Sequence, residues 1–165
     1  MKKIILIRHG RAEDASPDFS DFERSLSLKG KNVSRLMAGK LKERIKDIGV
    51  IISSPAFRAI ETALIFAVEY GISADKIIIS SNLYYMNDEK SFMNILKTID
   101  EDVNTITFFG HNPSFTELAG HLGTEASDVI PKSGIVCLSF NVRTWSQVKR
   151  NTGNPDLILK PKKIL

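Results

Sequence analysis

What most constrains this chain is an alternation. Short apolar runs rich in β-branched residues take turns with longer segments whose apolar residues recur every three to four positions. The runs lie at residues 3–7, 50–53, 76–80, 105–109 and 134–142, and a sixth is expected at 157–159. From Gly30 to about Lys46, Val33, Leu36, Met37, Leu41 and Ile45 fall on one helical face. Residues 89–99 do the same with Phe92, Ile95, Leu96 and Ile99. Ser54-Pro55 reads as the cap and first-turn proline of a helix running to about Tyr70, with Gly71 ending it. Asn112-Pro113 reads the same way for a helix to about Leu122. Strand alternating with helix predicts an α/β fold, a three-layer α/β/α sandwich around a mostly parallel sheet.

At 165 residues the expectation is one domain spanning 1–165. The 42% hydrophobic and 25% charged composition is that of an ordinary globular protein. No apolar run nears the roughly 20 residues of a membrane span. The run after Met1-Lys2-Lys3 stops at Arg8, short of the about 7–15 residues of a secretion signal. One cysteine, Cys137, fits a reducing compartment, so the expectation is a cytoplasmic protein with no membrane partner. The net charge of +4 suits an anionic ligand. No basic stripe interleaved with aromatics is present, which argues against nucleic acid. The basic tail Lys160-Pro161-Lys162-Lys163 reads as a solvated end.

In open α/β sheets ligands bind beyond the carboxyl ends of the strands. After the first run stands Arg8-His9-Gly10, after the second Ser53-Ser54-Pro55 with Arg58 close behind, and after the fourth Gly110-His111-Asn112-Pro113. Two of the three histidines and two arginines therefore sit at strand ends. Guanidinium forks match phosphate oxygens, helix N-termini add backbone donors, and histidine is a competent nucleophile toward phosphorus. Gly10 leaves room for a close backbone approach. These residues point to phosphoryl transfer through a histidine, with no metal and no cofactor.

At this point the chain resembles the histidine phosphatase superfamily, in its phosphoglycerate-mutase-like branch, over nearly its whole length. Residues 5–10 (ILIRHG), 26–30 (LSLKG), 53–62 (SSPAFRAIET) and 110–113 (GHNP) resemble four ordered motifs of that family. The size and the Asp21…Arg24-Ser25-Leu26 stretch look most like the SixA-type phosphohistidine phosphatases, with Ser25 where proline is usual. The resemblance implies that His9 takes the phosphoryl group and that Arg8, Arg58 and His111 hold its oxygens, without metal. Asn112 and Arg11 are further candidate contacts to substrate. The implied partner is a phosphorylated protein of the histidine-phosphotransfer type or a small phosphorylated molecule. Hydrolysis of a small phosphate ester, and non-catalytic phosphate binding, are the alternatives.

Larger members of the family place a carboxylate general acid after the third strand. Here only Asp88 and Glu89 are available, and they also read as the acidic start of the next helix. Cys137…Arg143 matches the C-x5-R spacing of cysteine phosphatases, but its apolar setting reads as a strand. His121 reads as packing or surface, and Trp145 as an edge or surface anchor. Two long loops, 11–28 and 124–133, are open to reading as lids; the first is acidic and carries Phe19 and Phe22.

Overall fold

A computed structural model describes residues 1–85 and 88–163. Among the described residues there are six strands, β1 (Lys2–Arg8), β2 (Val50–Ser53), β3 (Ile78–Ile79), β4 (Thr105–Gly110), β5 (Ile135–Phe140) and β6 (Asn154–Leu159). Four α-helices join them: α1 (Leu28–Arg44), α2 (Phe57–Tyr70), α3 (Glu89–Leu96) and α4 (Ser114–Leu122). The sheet order is β3-β2-β4-β1-β5-β6. Pairing is parallel from β3 to β1, while β5 runs antiparallel to both β1 and β6.

Side chains alternate across the pleat of β1, and this builds the three layers. Ile4 and Leu6 pack with Phe92 and Leu96 of α3 and Phe115, Leu118 and Leu122 of α4. Ile5 and Ile7 pack on the opposite face with Met37 and Leu41 of α1 and Ala63 and Phe66 of α2. All four β1 side chains are fully buried, each contributing roughly 1.5–3 kcal/mol. Because β1 is sandwiched on both faces, its carboxyl end is held rigidly against its neighbours.

That end is where the strands come into register. Arg8 lies opposite Gly110, and the His9 amide donates to the Gly110 carbonyl at 3.0 Å. The Ser54 amide donates to the Phe109 carbonyl at 2.9 Å. The ends of β1, β4 and β2 are thus stitched side by side, which brings the residues that follow each strand together.

Several boundaries differ from expectation. α2 begins at Phe57, and Ser54 does not cap it. α4 begins at Ser114 without a side-chain cap, after a cis Asn112-Pro113 bond. The third strand shrinks to Ile78–Ile79, both half exposed at the sheet edge, preceded by a 3-10 turn at Ala74–Lys76. Short edge strands of this kind resist pairing with other chains. Trp145 is not a surface anchor: it is fully buried, its indole N–H donates to the Val103 carbonyl at 3.1 Å, and the Lys2 ammonium lies 5.1 Å from its ring. Cys137 lies in β5, fully buried, and burial pushes its thiol up to about 12. A thiol so hard to ionise is a poor nucleophile, and a strand offers no phosphate-cradling loop.

The glycine after His9 has a different reason from the one expected. A Cβ on Gly10 would meet Ser34 Oγ at 2.6 Å, so it is α1 that approaches. One turn earlier, a Cβ on Gly30 would lie 2.0 Å from the Arg11 carbonyl oxygen. Ser27 caps α1 at this contact, accepting from the Gly30 amide at 3.1 Å and donating to the Arg11 carbonyl at 3.1 Å. Gly30→Ala is expected to cost about 1–3 kcal/mol, because backbone rather than a flexible side chain has to yield. A denaturant midpoint equal to wild type would show that the contact is slack.

Candidate active site

His9 is 8% exposed and is held by two bonds. Its Nδ1 lies 2.7 Å from the Gly10 carbonyl oxygen. A carbonyl only accepts, so Nδ1 carries the proton and Nε2 carries the lone pair. Arg58 Nε donates toward that Nε2 at 3.3 Å. Burial is the chief reason that the imidazole is held down at about 3, with the charges of His111, Arg58 and Arg8 acting in the same direction and the Gly10 bond opposing. His9 is therefore a neutral imidazole with its basic nitrogen facing a guanidinium.

His111 lies beside it, ring centroids 5.0 Å apart. Its Nε2 is 2.7 Å from Ser54 Oγ. This is the task of the serine that read as a helix cap. Burial lowers His111 to about 4, with Arg58 and Arg8 adding to the effect and Asp21 opposing.

Arg58 is also 8% exposed and uses its whole fork. Nη1 donates to the Asp21 carbonyl at 2.6 Å and Nη2 to the Asp21 carboxylate at 2.9 Å. Thr62 ties this arginine to the first motif. Its hydroxyl donates to the Arg58 carbonyl at 2.7 Å and accepts from the Gly10 amide at 3.0 Å. Arg8 donates through Nη1 to the Ile130 carbonyl at 2.8 Å, the same oxygen that accepts from Asn112 Nδ2 at 3.0 Å. No carboxylate pairs with Arg8 among the described residues.

Among the described residues, the buried side-chain atoms without a hydrogen-bond partner are Arg8 Nε, His111 Nδ1 and Asn112 Oδ1. All three belong to residues singled out from the sequence. Arg8, His9, Arg58 and His111 are brought together, with Asn112 at their side. Arg11 is exposed and makes no side-chain bond to them; it lines a neighbouring cleft. Asp88 caps α3, accepting from the Ser91 amide at 2.8 Å, and Glu89 sits 3.5 Å from both His121 and Arg150. Neither carboxylate joins the His9 group.

Sequence reasoning did not single out Asp21 or Tyr84. Asp21 sits in a 3-10 turn of the 11–28 loop, and Phe22 beside it packs on Phe57 and Tyr84 at 6.0 and 5.5 Å. Tyr84 donates to the Asp21 carboxylate at 3.2 Å and stands edge-on to His111 at 5.5 Å. Burial works to raise Asp21, but its bonds to Arg24 and Arg58 outweigh this and hold it at about 2. At neutral pH it accepts hydrogen bonds and has no proton to give. In the sequence Asp21 is one of five acidic residues in its loop, and only the resemblance of the Asp21…Arg24-Ser25-Leu26 stretch marked it.

The two lowered histidines define a pH response. An unfolded histidine takes up a proton near 6.5, whereas His9 and His111 resist it in the fold down to about 3 and about 4. Between those limits the unfolded chain binds more protons, so stability falls as pH drops below about 6.5. Proton NMR titration should show both rings still neutral at pH 6, with the thermal midpoint declining toward pH 4. A His9 midpoint near 6.5 would contradict the geometry described.

Residues 4–84 match the model of the histidine phosphatase superfamily (branch 1). That segment contains Arg8, His9, Asp21, Arg58 and Tyr84. No curated protein sequence matches the chain. Solved structures do. A SixA-type protein from Agrobacterium tumefaciens superposes with a TM-score of 0.78 at 22% identity, over 97% of this chain and 98% of its own. A protein histidine phosphatase SixA, solved with tungstate, gives 0.83 at 21% identity over 99% of both chains. A mycobacterial glucosyl-3-phosphoglycerate phosphatase, solved with vanadate, gives 0.70 at 12% identity over 95% of this chain and 98% of its own. Residues 4–84 belong to the histidine phosphatase superfamily (branch 1), and the whole chain has the phosphoglycerate-mutase-like fold of its SixA neighbours. As an enzyme it is a phosphatase.

Proposed function

We propose that the protein hydrolyses phosphohistidine on a protein, with His9 as nucleophile. The observation that carries this reading is the His9 ring itself, with Nδ1 pinned to the Gly10 carbonyl and Nε2 neutral and facing Arg58. Nε2 attacks phosphorus, the electron pair of the breaking P–N bond returns to the substrate imidazole, which leaves neutral with a proton on its other nitrogen, and the phosphoryl group rests on His9. Water then attacks phosphorus, the bond to Nε2 breaks, and inorganic phosphate leaves. Arg8 and Arg58 supply positive charge to the oxygens throughout, and His111 adds a third contact through its unpartnered nitrogen. Asp21 keeps Arg58 in position, Ser54 does so for His111, and Thr62 couples Gly10 to Arg58.

The leaving group decides between substrates. An alkoxide needs a positioned acid, worth roughly 10²–10⁴-fold. Asp21 is ionised, and Asp88 and Glu89 are engaged elsewhere. An imidazole leaves more readily. The similar SixA structure is named for protein histidine phosphatase activity and holds a phosphate analogue, which supports the same reading here.

Phosphate release from a phosphohistidine-bearing phosphotransfer domain and from an alkyl phosphate, measured side by side, tests it. The first is expected to exceed the second by at least about 10²-fold in kcat/KM, unaffected by EDTA. Comparable rates would favour a small-metabolite phosphatase on the same residues. Release from neither, with phosphate still bound, would favour a binding module.

A further inference from the structure

We propose that the cleft beside Arg8 docks an acidic segment of the phosphoprotein that presents its phosphohistidine to His9. This rests on the function proposed above and adds the means of choosing among phosphoproteins. The cleft measures about 390 Å³ and is lined by Arg8, Arg11, Lys29, Lys132 and Lys162, with no carboxylate among the described residues. In the whole chain 23 cationic side chains stand against 19 acidic ones, so five cations without a counter-charge is a concentrated patch. Arg11, Lys29, Lys132 and Lys162 are exposed, and none makes an ion pair or side-chain hydrogen bond among the described residues.

The floor is apolar. Val33, one turn along α1 from Lys29, lines it together with Pro131 and Pro161. Cations beside apolar side chains match a peptide segment that carries both carboxylates and an apolar side chain better than a lone inorganic ion. The cleft is also continuous with the phosphate site. Arg8 belongs to both, and the Ser133 amide donates to the carbonyls of Arg8 and His9 at 3.1 Å. A chain with its phosphohistidine at His9 can therefore lay its flanking residues in the cleft. Two walls come from segments read in the sequence as a solvated tail and as a loop open to reading as a lid. The basic tail is not a free end, since Pro161 is buried and Lys162 stands on the rim, and the 124–133 loop supplies Pro131 and Lys132. Lys160 is set apart by its bond to Asp128 at 2.6 Å.

Two synthetic phosphohistidine peptides test the proposal, identical except that glutamates flank the phosphohistidine in one and glutamines in the other. The wild type is expected to favour the acidic peptide about tenfold or more in kcat/KM at low salt, with the preference shrinking as salt is raised. The variant carrying Lys29→Glu, Lys132→Glu and Lys162→Glu is expected to lose or reverse that preference while hydrolysing the glutamine peptide at the wild-type rate. Equal rates on the two peptides, or a preference that survives charge reversal, would overturn the docking proposal and leave the phosphohistidine reading standing. Hydrolysis of neither peptide by the wild type would overturn both.

Discussion

Replacing His9 with alanine is expected to lower phosphate release about 10⁴-fold or more, with the fold retained. The expectation follows from what Nε2 alone provides. It is the basic nitrogen of a neutral ring, oriented by the Gly10 carbonyl and facing Arg58 Nε at 3.3 Å. Alanine removes the atom proposed to carry the phosphoryl group, and on that reading the remaining residues can only bind. Arg8, Arg58 and His111 stay, and phosphate affinity measured by calorimetry should change far less than the rate. A residual rate of a few per cent or more in a folded His9→Ala protein would mean that another group attacks phosphorus.

The second large effect is at Arg58. Lysine there keeps the charge, yet kcat/KM is expected to fall roughly 10²–10³-fold, the size of effect seen when a preorganised donor is lost from a reacting oxyanion. Three nitrogens of Arg58 serve three acceptors: Nε the His9 ring, Nη1 the Asp21 carbonyl and Nη2 the Asp21 carboxylate. A single ammonium on a flexible stem cannot replace that fork. Asp21 would lose its bonds to Arg58, and the 3-10 turn that holds it would depend on Arg24, Tyr84 and the Phe22 contacts. Steady-state kinetics with added guanidinium sharpen the test, since a free guanidinium should restore part of an Arg58→Ala defect and little of the lysine one. Near-normal rates for Arg58→Lys would show that charge alone is needed.

Much of this was readable from the chain because the candidate site residues stand where strands end. Arg8-His9, Ser53-Ser54 and Gly110-His111 each follow an apolar run, and parallel register brings such ends together in any open α/β sheet. The layers were readable for a related reason: Ile4 and Leu6 alternate with Ile5 and Ile7, so both faces of β1 had to be covered. What misled was polar residues that serve a site while resembling helix punctuation. Ser54-Pro55 and Asn112-Pro113 carry the chemistry of caps, yet Ser54 turns to His111 and Asn112 to the Ile130 carbonyl. Asp88 is the reverse case, a candidate acid that caps α3. Asp21 had no periodic signature, because its partner lies 37 residues away in a different element; only the resemblance of its loop stretch marked it. Trp145 is buried by Lys2 and Val103, both contacts set by the tertiary fold alone.

The central claim is a phosphoryl group carried on His9, and trapping it is the most direct measurement. The enzyme is mixed with a phosphohistidine-bearing domain labelled in its phosphoryl group, quenched in alkali within milliseconds, digested and mapped by mass spectrometry. The account predicts label on the peptide containing His9, stable in base and labile in acid, and none in the Arg58→Ala protein. Turnover with no labelled enzyme, or label at Cys137 or any residue other than His9, would contradict it.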